Sequence, residues 1–133
     1  YDVRWSVDPE EAIALVEQGV PDLVLLDVMM PPSNGYEVCK RIKGVHGLFT
    51  PVILLTGRNS VKDKIRGFEA GGDDYVVKPF INDELLIRVR SMIRIRMMER
   101  EQQRLSAELA QMVETNAQLY EQARDDADIK AAL

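Results

Sequence analysis

Leu23-Val24-Leu25-Leu26-Asp27 is an apolar run that ends on a carboxylate. Four consecutive Leu and Val residues leave no polar alternation, so the segment reads as a strand covered on both faces, as in a parallel sheet sandwiched by helices. Two further segments have the same form. Pro51-Val52-Ile53-Leu54-Leu55-Thr56-Gly57 stops at a hydroxyl, and Asp74-Tyr75-Val76-Val77-Lys78-Pro79-Phe80 stops at an ammonium. The carboxyl ends of strands in an open α/β sheet face one crevice, which brings Asp27, Thr56 and Lys78 together. A carboxylate there can act as a nucleophile towards phosphorus. An ammonium and a hydroxyl beside it neutralise and hydrogen-bond the phosphoryl oxygens. Taken singly, the three have plainer readings as a helix cap, a strand end and a solvated lysine. Three successive strand ends together favour a shared site.

The flanking residues are consistent with such a crevice. Gly57, directly after Thr56, leaves room for a phosphoryl group and for the hydroxyl to swing inward. Pro31 and Pro32 close the loop after Asp27, and Asn34-Gly35 gives a turn before a helix over 36–43 with Val38 and Ile42 as its buried stripe. Strand alternation points Tyr75 away from the Val76 face, where it reads either as a half-buried tyrosine that turns in or out as a switch or as a simple surface aromatic. At the beginning, Tyr1 to Val7 reads as a strand. A helix follows, with Asp8 as N-cap, Pro9 at its first position, Ala12, Ile13, Leu15 and Val16 as its apolar face, and Gly19 as its stop.

Asp27-Val28-Met29-Met30-Pro31, Asn34-Gly35-Tyr36-Glu37, Leu55-Thr56-Gly57 and Ala70-Gly71-Gly72-Asp73-Asp74-Tyr75-Val76-Val77-Lys78-Pro79-Phe80 occur in that order. In these motifs and their separations, residues 1 to about 96 resemble the response-regulator receiver domains of two-component signalling, of the chemotaxis-regulator type. The resemblance implies an α/β, doubly wound, flavodoxin-like parallel sheet of strand order 2-1-3-4-5. It implies that a histidine kinase or phosphotransfer protein phosphorylates Asp27. Thr56 and Lys78 then stand for the family's hydroxyl and lysine, with Thr56 and Tyr75 as the switch pair. The Lys78-Pro79 bond is expected to be cis. Met29 and Arg58, two residues past Asp27 and Thr56, stand where the family lines the route of attacking water. The family also binds Mg2+, here through Asp27, the backbone carbonyl of Met29 and an acidic pair at the end of its first strand. That strand, its acidic pair and the helix after it are absent from this sequence. The expectation is therefore a fragment of a longer chain, elements left unrecorded, or a strand supplied by another chain.

Composition narrows the class further. A formal net charge of −5 argues against direct binding of nucleic acid through bulk charge. There is no signal peptide and no apolar stretch near 20 residues, which argues against a membrane role. The single cysteine, Cys39, allows no internal disulfide and fits a reducing, cytoplasmic setting as a small buried apolar residue. His46 reads as a solvated loop residue rather than a phosphoryl carrier.

From Asp83 to Leu133 there is no glycine or proline, and helix formers dominate. Asn82 or Asp83 caps a helix whose first turns, with Leu85, Leu86, Val89 and Ile93, pack on the sheet. The remainder, 97–133, reads as a helical coiled-coil extension to the receiver at 1–96. Its heptads place Ile95, Gln102, Leu109, Asn116 and Ala123 at a, and Met98, Leu105, Met112 and Leu119 at d. The proposed dimer seam is Ile95, Met98, Leu105, Leu109, Met112, Asn116 and Leu119, with paired asparagines fixing the register of a parallel two-stranded coil. Asp126 and Lys130 fall on core positions, so this seam is expected to fail past Ala123. A solvated helix packing on a downstream domain is the bland alternative. Arg88, Arg90, Arg94, Arg96, Arg100 and Arg104 are expected to pair with nearby acids such as Glu99 and Glu101.

The functional expectation is a phosphoacceptor, not an enzyme of many substrates, that relays its state through a dimeric helix to an output domain. The alternative is a non-phosphorylated pseudo-receiver or scaffold that dimerises and binds partners constitutively. An aspartate-nucleophile phosphatase is weaker, because Met29 stands where a second acid is needed.

Overall fold

The computed structural model of the protein describes residues 1–19, 21–45, 50–57 and 60–133. His46 and Arg58 lie outside the described residues. The chain divides into two compact units, Tyr1–Arg96 and Met97–Leu133.

Three strands, β1 (Val24–Asp27), β4 (Val52–Thr56) and β5 (Asp74–Val77), form a parallel sheet in the order β1-β4-β5. This is the 3-4-5 part of the expected order. Val24 pairs with Val52 and Asp27 with Leu55, while Ile53 pairs with Asp74 and Thr56 with Val77. The ladder runs on past the strand ends, since Val28 N–H donates to Leu55 O at 2.9 Å and Lys78 N–H to Thr56 O at 2.7 Å. Those two bonds hold the three C-terminal ends level.

Side chains of the sheet alternate between two cores. Leu26, Val52 and Leu54 pack with Ile13 and Val16 of α1 (Pro9–Gln18) and with Val38, Cys39 and Ile42 of α2 (Gly35–Lys43). Ile53 and Val76 pack on the other face with Val89, Leu85, Met92 and Ile93 from the start of α4 (Asn82–Ala132). β4 is covered on both faces as its unbroken apolar run requires, whereas on β1 Leu25 is 43% exposed, so that strand is not covered on both faces as the sequence suggests. Leu86 is 38% exposed, and Met92 takes the place in this core that the sequence reading assigned to it.

Helix ends follow the expected chemistry. Asp8 accepts from Glu10 N–H and precedes Pro9, and Asn34 accepts from Glu37 N–H. α3 (Val61–Glu69) is capped by Ser60, which accepts from Asp63 N–H. Asn34-Gly35 is thus a cap and first helical residue rather than a free turn. Ahead of it, β2 (Met29–Met30) and β3 (Ser33–Asn34) form a short antiparallel hairpin around Pro31 and Pro32, whose peptide bond is cis.

Residues Tyr1–Ser6 form no strand, contrary to the sequence reading. Tyr1, Val3, Trp5 and Val7 are all exposed, from 75 to 83%. The period-2 pattern is real, but β-structure comes from cross-strand pairing and packing, and no described residue pairs with this segment.

Cys39 is fully buried, and burial pushes its thiol up to about 11. At pH 8 its thiolate fraction is then roughly one in a thousand. Labelling by a disulfide reagent at pH 8 is expected to be slow in the native protein and fast in denaturant, because only the thiolate attacks. Fast native labelling would contradict this burial.

Candidate functional site

The level strand ends place Asp27 and Lys78 on either side of the end of β4, where Thr56 stands. Lys78 Nζ lies 2.5 Å from Asp27 Oδ2, with both side chains a little over one-third exposed. The other carboxylate oxygen, Oδ1, accepts from Met29 N–H at 2.9 Å. Asp27 therefore has one oxygen tied to its own loop and one presented to an ammonium, so the carboxylate is oriented before any ligand arrives. Thr56 is only 5% exposed, at the carboxyl end of the strand between them. The Lys78-Pro79 bond is cis.

Gly35 supports this arrangement from below, and its part was not legible in the sequence. The hairpin brings it back onto the backbone just after Asp27, where its N–H donates to Val28 O at 2.9 Å. A Cβ at Gly35 would sit 2.4 Å from Asp27 O and 2.6 Å from Val28 Cα, so only a residue without a side chain fits. Gly35→Ala is expected to cost about 1–3 kcal/mol through forced backbone shifts. A denaturant midpoint unchanged from the parent would refute that. Gly57 differs, because a Cβ there would meet nothing within 4 Å. The space on that side of Thr56 is open among the described residues.

Tyr75 is partly buried on the opposite side of β5 from Val76. Its ring meets Phe68 edge to face with centroids 6.1 Å apart, and Lys64 Nζ stands 5.1 Å from the ring centre. Thr56, Phe68, Lys64, Tyr36 and Tyr75 all border a small cavity of about 10 Å³, room for one water at most. A hydroxyl and an aromatic ring thereby share packing slack.

No group of three or more His, Cys, Asp or Glu side chains able to hold a metal ion occurs among the described residues. Mg2+ demands near-octahedral oxygen coordination. Asp27, with one oxygen on Lys78 and the other on the Met29 N–H, does not provide it. The residues present do not by themselves fit a magnesium ion.

The basic run forms several ion pairs, only partly with the expected acids. Arg88 reaches both oxygens of Asp74 at 3.1 and 3.0 Å, Arg104 bridges Glu101 and Glu108, and buried Arg96 lies 3.7 Å from Asp22. On α4, Ile95, Met98, Leu105, Leu109, Met112 and Leu119 are 45 to 66% exposed, and Asn116 is exposed with them. No helix among the described residues is long and apolar enough to cross a membrane.

The sequence matches the response regulator receiver domain family over residues 1–90. Response regulator MprA of Mycolicibacterium vanbaalenii is 44% identical over 94 residues, covering 71% of this chain and 40% of MprA. Transcriptional regulatory protein CiaR of Streptococcus pneumoniae is 43% identical over 93 residues, 70% of this chain and 41% of CiaR. This chain therefore spans about two fifths of the length of these relatives. Among solved structures, the BeF3-activated N-terminal receiver domain of RstA from Klebsiella pneumoniae superposes with a TM-score of 0.63 at 33% identity, covering 70% of this chain and 78% of that one. Chemotaxis protein CheY4 of Vibrio cholerae gives 0.61 at 31% identity, covering 69% and 78%. Sequence and fold point the same way, and this chain therefore belongs to the response regulator receiver domains of two-component systems.

Proposed function

We propose that Asp27 is a phosphoacceptor, charged by a histidine kinase or a phosphotransfer protein, and that the charged state is passed through α4 to a dimeric coil and an output domain. The observation that carries this reading is the Lys78 ammonium 2.5 Å from Asp27 Oδ2. Oδ2 attacks the phosphorus of a phosphohistidine, the P–N bond breaks, and the electron pair leaves with the imidazole. The product is an acyl phosphate on Asp27, whose oxygens take over the Lys78 ammonium. Water later cleaves the P–O bond, restoring the carboxylate and releasing phosphate. The protein thus ends its own signal without acting as an enzyme on many substrates.

Thr56 reads the charge. Its hydroxyl turns towards the phosphoryl oxygens and leaves volume beside the small cavity, into which Tyr75 repacks. Seam residues Ile95, Met98, Leu105, Leu109, Met112, Asn116 and Leu119 pair with those of a second copy, and a reducing cytoplasm is the setting this reading assigns. RstA's receiver was solved as a BeF3-activated form, which supports a phosphoryl-like ligand at the equivalent crevice here. Treatment with phosphoramidate in magnesium-containing buffer is expected to add the mass of one phosphoryl group to the parent and none to Asp27→Asn. Equal incorporation by both, or none by a folded parent, would overturn the proposal.

A further inference from the structure

The helical unit Met97–Leu133 carries a seam whose spacing changes along its length. Counting in sevens, Asn116 leads to Ala123 and Lys130, and Leu119 leads to Asp126. Counting in elevens, Leu109 leads to Tyr120 and Ala131, Met112 to Ala123, and Asn116 to Ala127. The two counts share Ala123 and part at the next step. Heptads continued further put Asp126 and Lys130 in the core, each facing its own copy across a parallel pair. Like charges would then meet in a dry layer, a costly arrangement. The 11-residue count replaces them with Ala127 and Ala131 and leaves both charges on the flank.

The helix is continuous through this region, α4 reaching Ala132, and every residue from Met97 to Ala132 is exposed except Glu99, which is intermediate. Tyr120 is 72% exposed and Val113 62%, so the apolar stripe has no cover among the described residues. A stripe of this period over 37 residues fits another helix of the same pitch. Its charges suit a second copy. Up to Asn116 the outward f position holds Glu114 and the flanking e and g positions hold uncharged Val113 and Thr115, while beyond it the 11-residue count puts Tyr120 in the core place that heptads give Leu119.

Resting on the dimeric reading of this helix, we infer that two copies pair in parallel to the end of the unit, changing from a 7-residue to an 11-residue register after Asn116. Heptads wind left-handed and 11-residue repeats slightly right-handed, so the pair relaxes its supercoil there instead of fraying. Three alanines in the later layers also let the helices approach more closely than the Leu and Met layers before them.

Single cysteines placed in the full chain test this under mild oxidation, with buried Cys39 left in place and the parent as blank. Met112→Cys is in the core of both registers and reports the dimer. Ala127→Cys and Ala131→Cys are expected to cross-link severalfold faster than Asp126→Cys and Lys130→Cys, because disulfides need close, facing Cβ atoms. Efficient linking at 112 with faster linking at 126 and 130 would overturn the change of register while leaving the dimer intact. Linking at 112 with none at any of the four later positions would show that the pair ends early, and would overturn it too. No linking at 112 would remove the parallel dimer itself.

Discussion

Lys78→Ala is expected to slow phosphoryl transfer onto Asp27 by about 10²–10³-fold, the usual loss when one charge-stabilising group is removed from an anionic transition state. The ammonium is the one cation that touches the Asp27 carboxylate among the contacts described, 2.5 Å from Oδ2. Under the proposed reaction the transferred phosphoryl would bring negative oxygens to that place, so the interaction would strengthen as transfer proceeds and its loss would appear in the rate. Stability should change little. The pair is over one-third exposed, and such bridges contribute about 1 kcal/mol or less. Lys78→Arg keeps the charge but not the compact ammonium, and is expected to fall between parent and alanine. Intact-mass time courses with phosphoramidate measure all three. A rate for Lys78→Ala within a few-fold of the parent, in a folded protein, would remove Lys78 from the chemistry.

Ile53→Ala is expected to destabilise the receiver unit by about 2–5 kcal/mol. Ile53 has no exposed surface and lies on β4, the strand between β1 and β5. Its side chain meets Val76 and Val89, so truncation opens a cavity between sheet and helix where neighbours on two elements must move to close it. The rigid strand behind Ile53 limits that collapse, which favours the upper part of the range. Chemical denaturation of the intact chain gives the value, and a loss under 1 kcal/mol would mean that the core relaxes into the void. Because α4 closes this core, the same substitution also loosens the helix that leads out of the unit.

The parallel strands were legible because each is a run of three to five apolar residues, rich in Val, Leu and Ile, without polar alternation. Asp27, Thr56 and Lys78 were legible for the same reason, each being the first polar residue after such a run. Tyr1–Val7 was misread because a strand is defined by its partner, and alternation of Tyr1, Val3, Trp5 and Val7 says only what a strand would do if one were beside it. Met92 was missed and Leu86 wrongly included because the apolar stripe of a helix is wide, and which of its edges meets the sheet depends on how the helix is set down. Asp22 and Arg96 are 74 residues apart in the chain, so no local pattern announces their 3.7 Å contact.

By itself the sequence determined the layered α/β order, the three polar strand ends and an uninterrupted final helix with an apolar seam, since these follow from local burial and helix propensity. Only the tertiary structure decided how Asp27 is held. Its carboxylate orientation comes from the Met29 N–H and from Lys78, and the loop that presents it rests on a backbone contact at Gly35 too close for any Cβ. The Met29 and Gly35 contacts close within one loop, but Lys78 is 51 residues from Asp27 and meets it only when the sheet forms, a distance not written in any one stretch of chain.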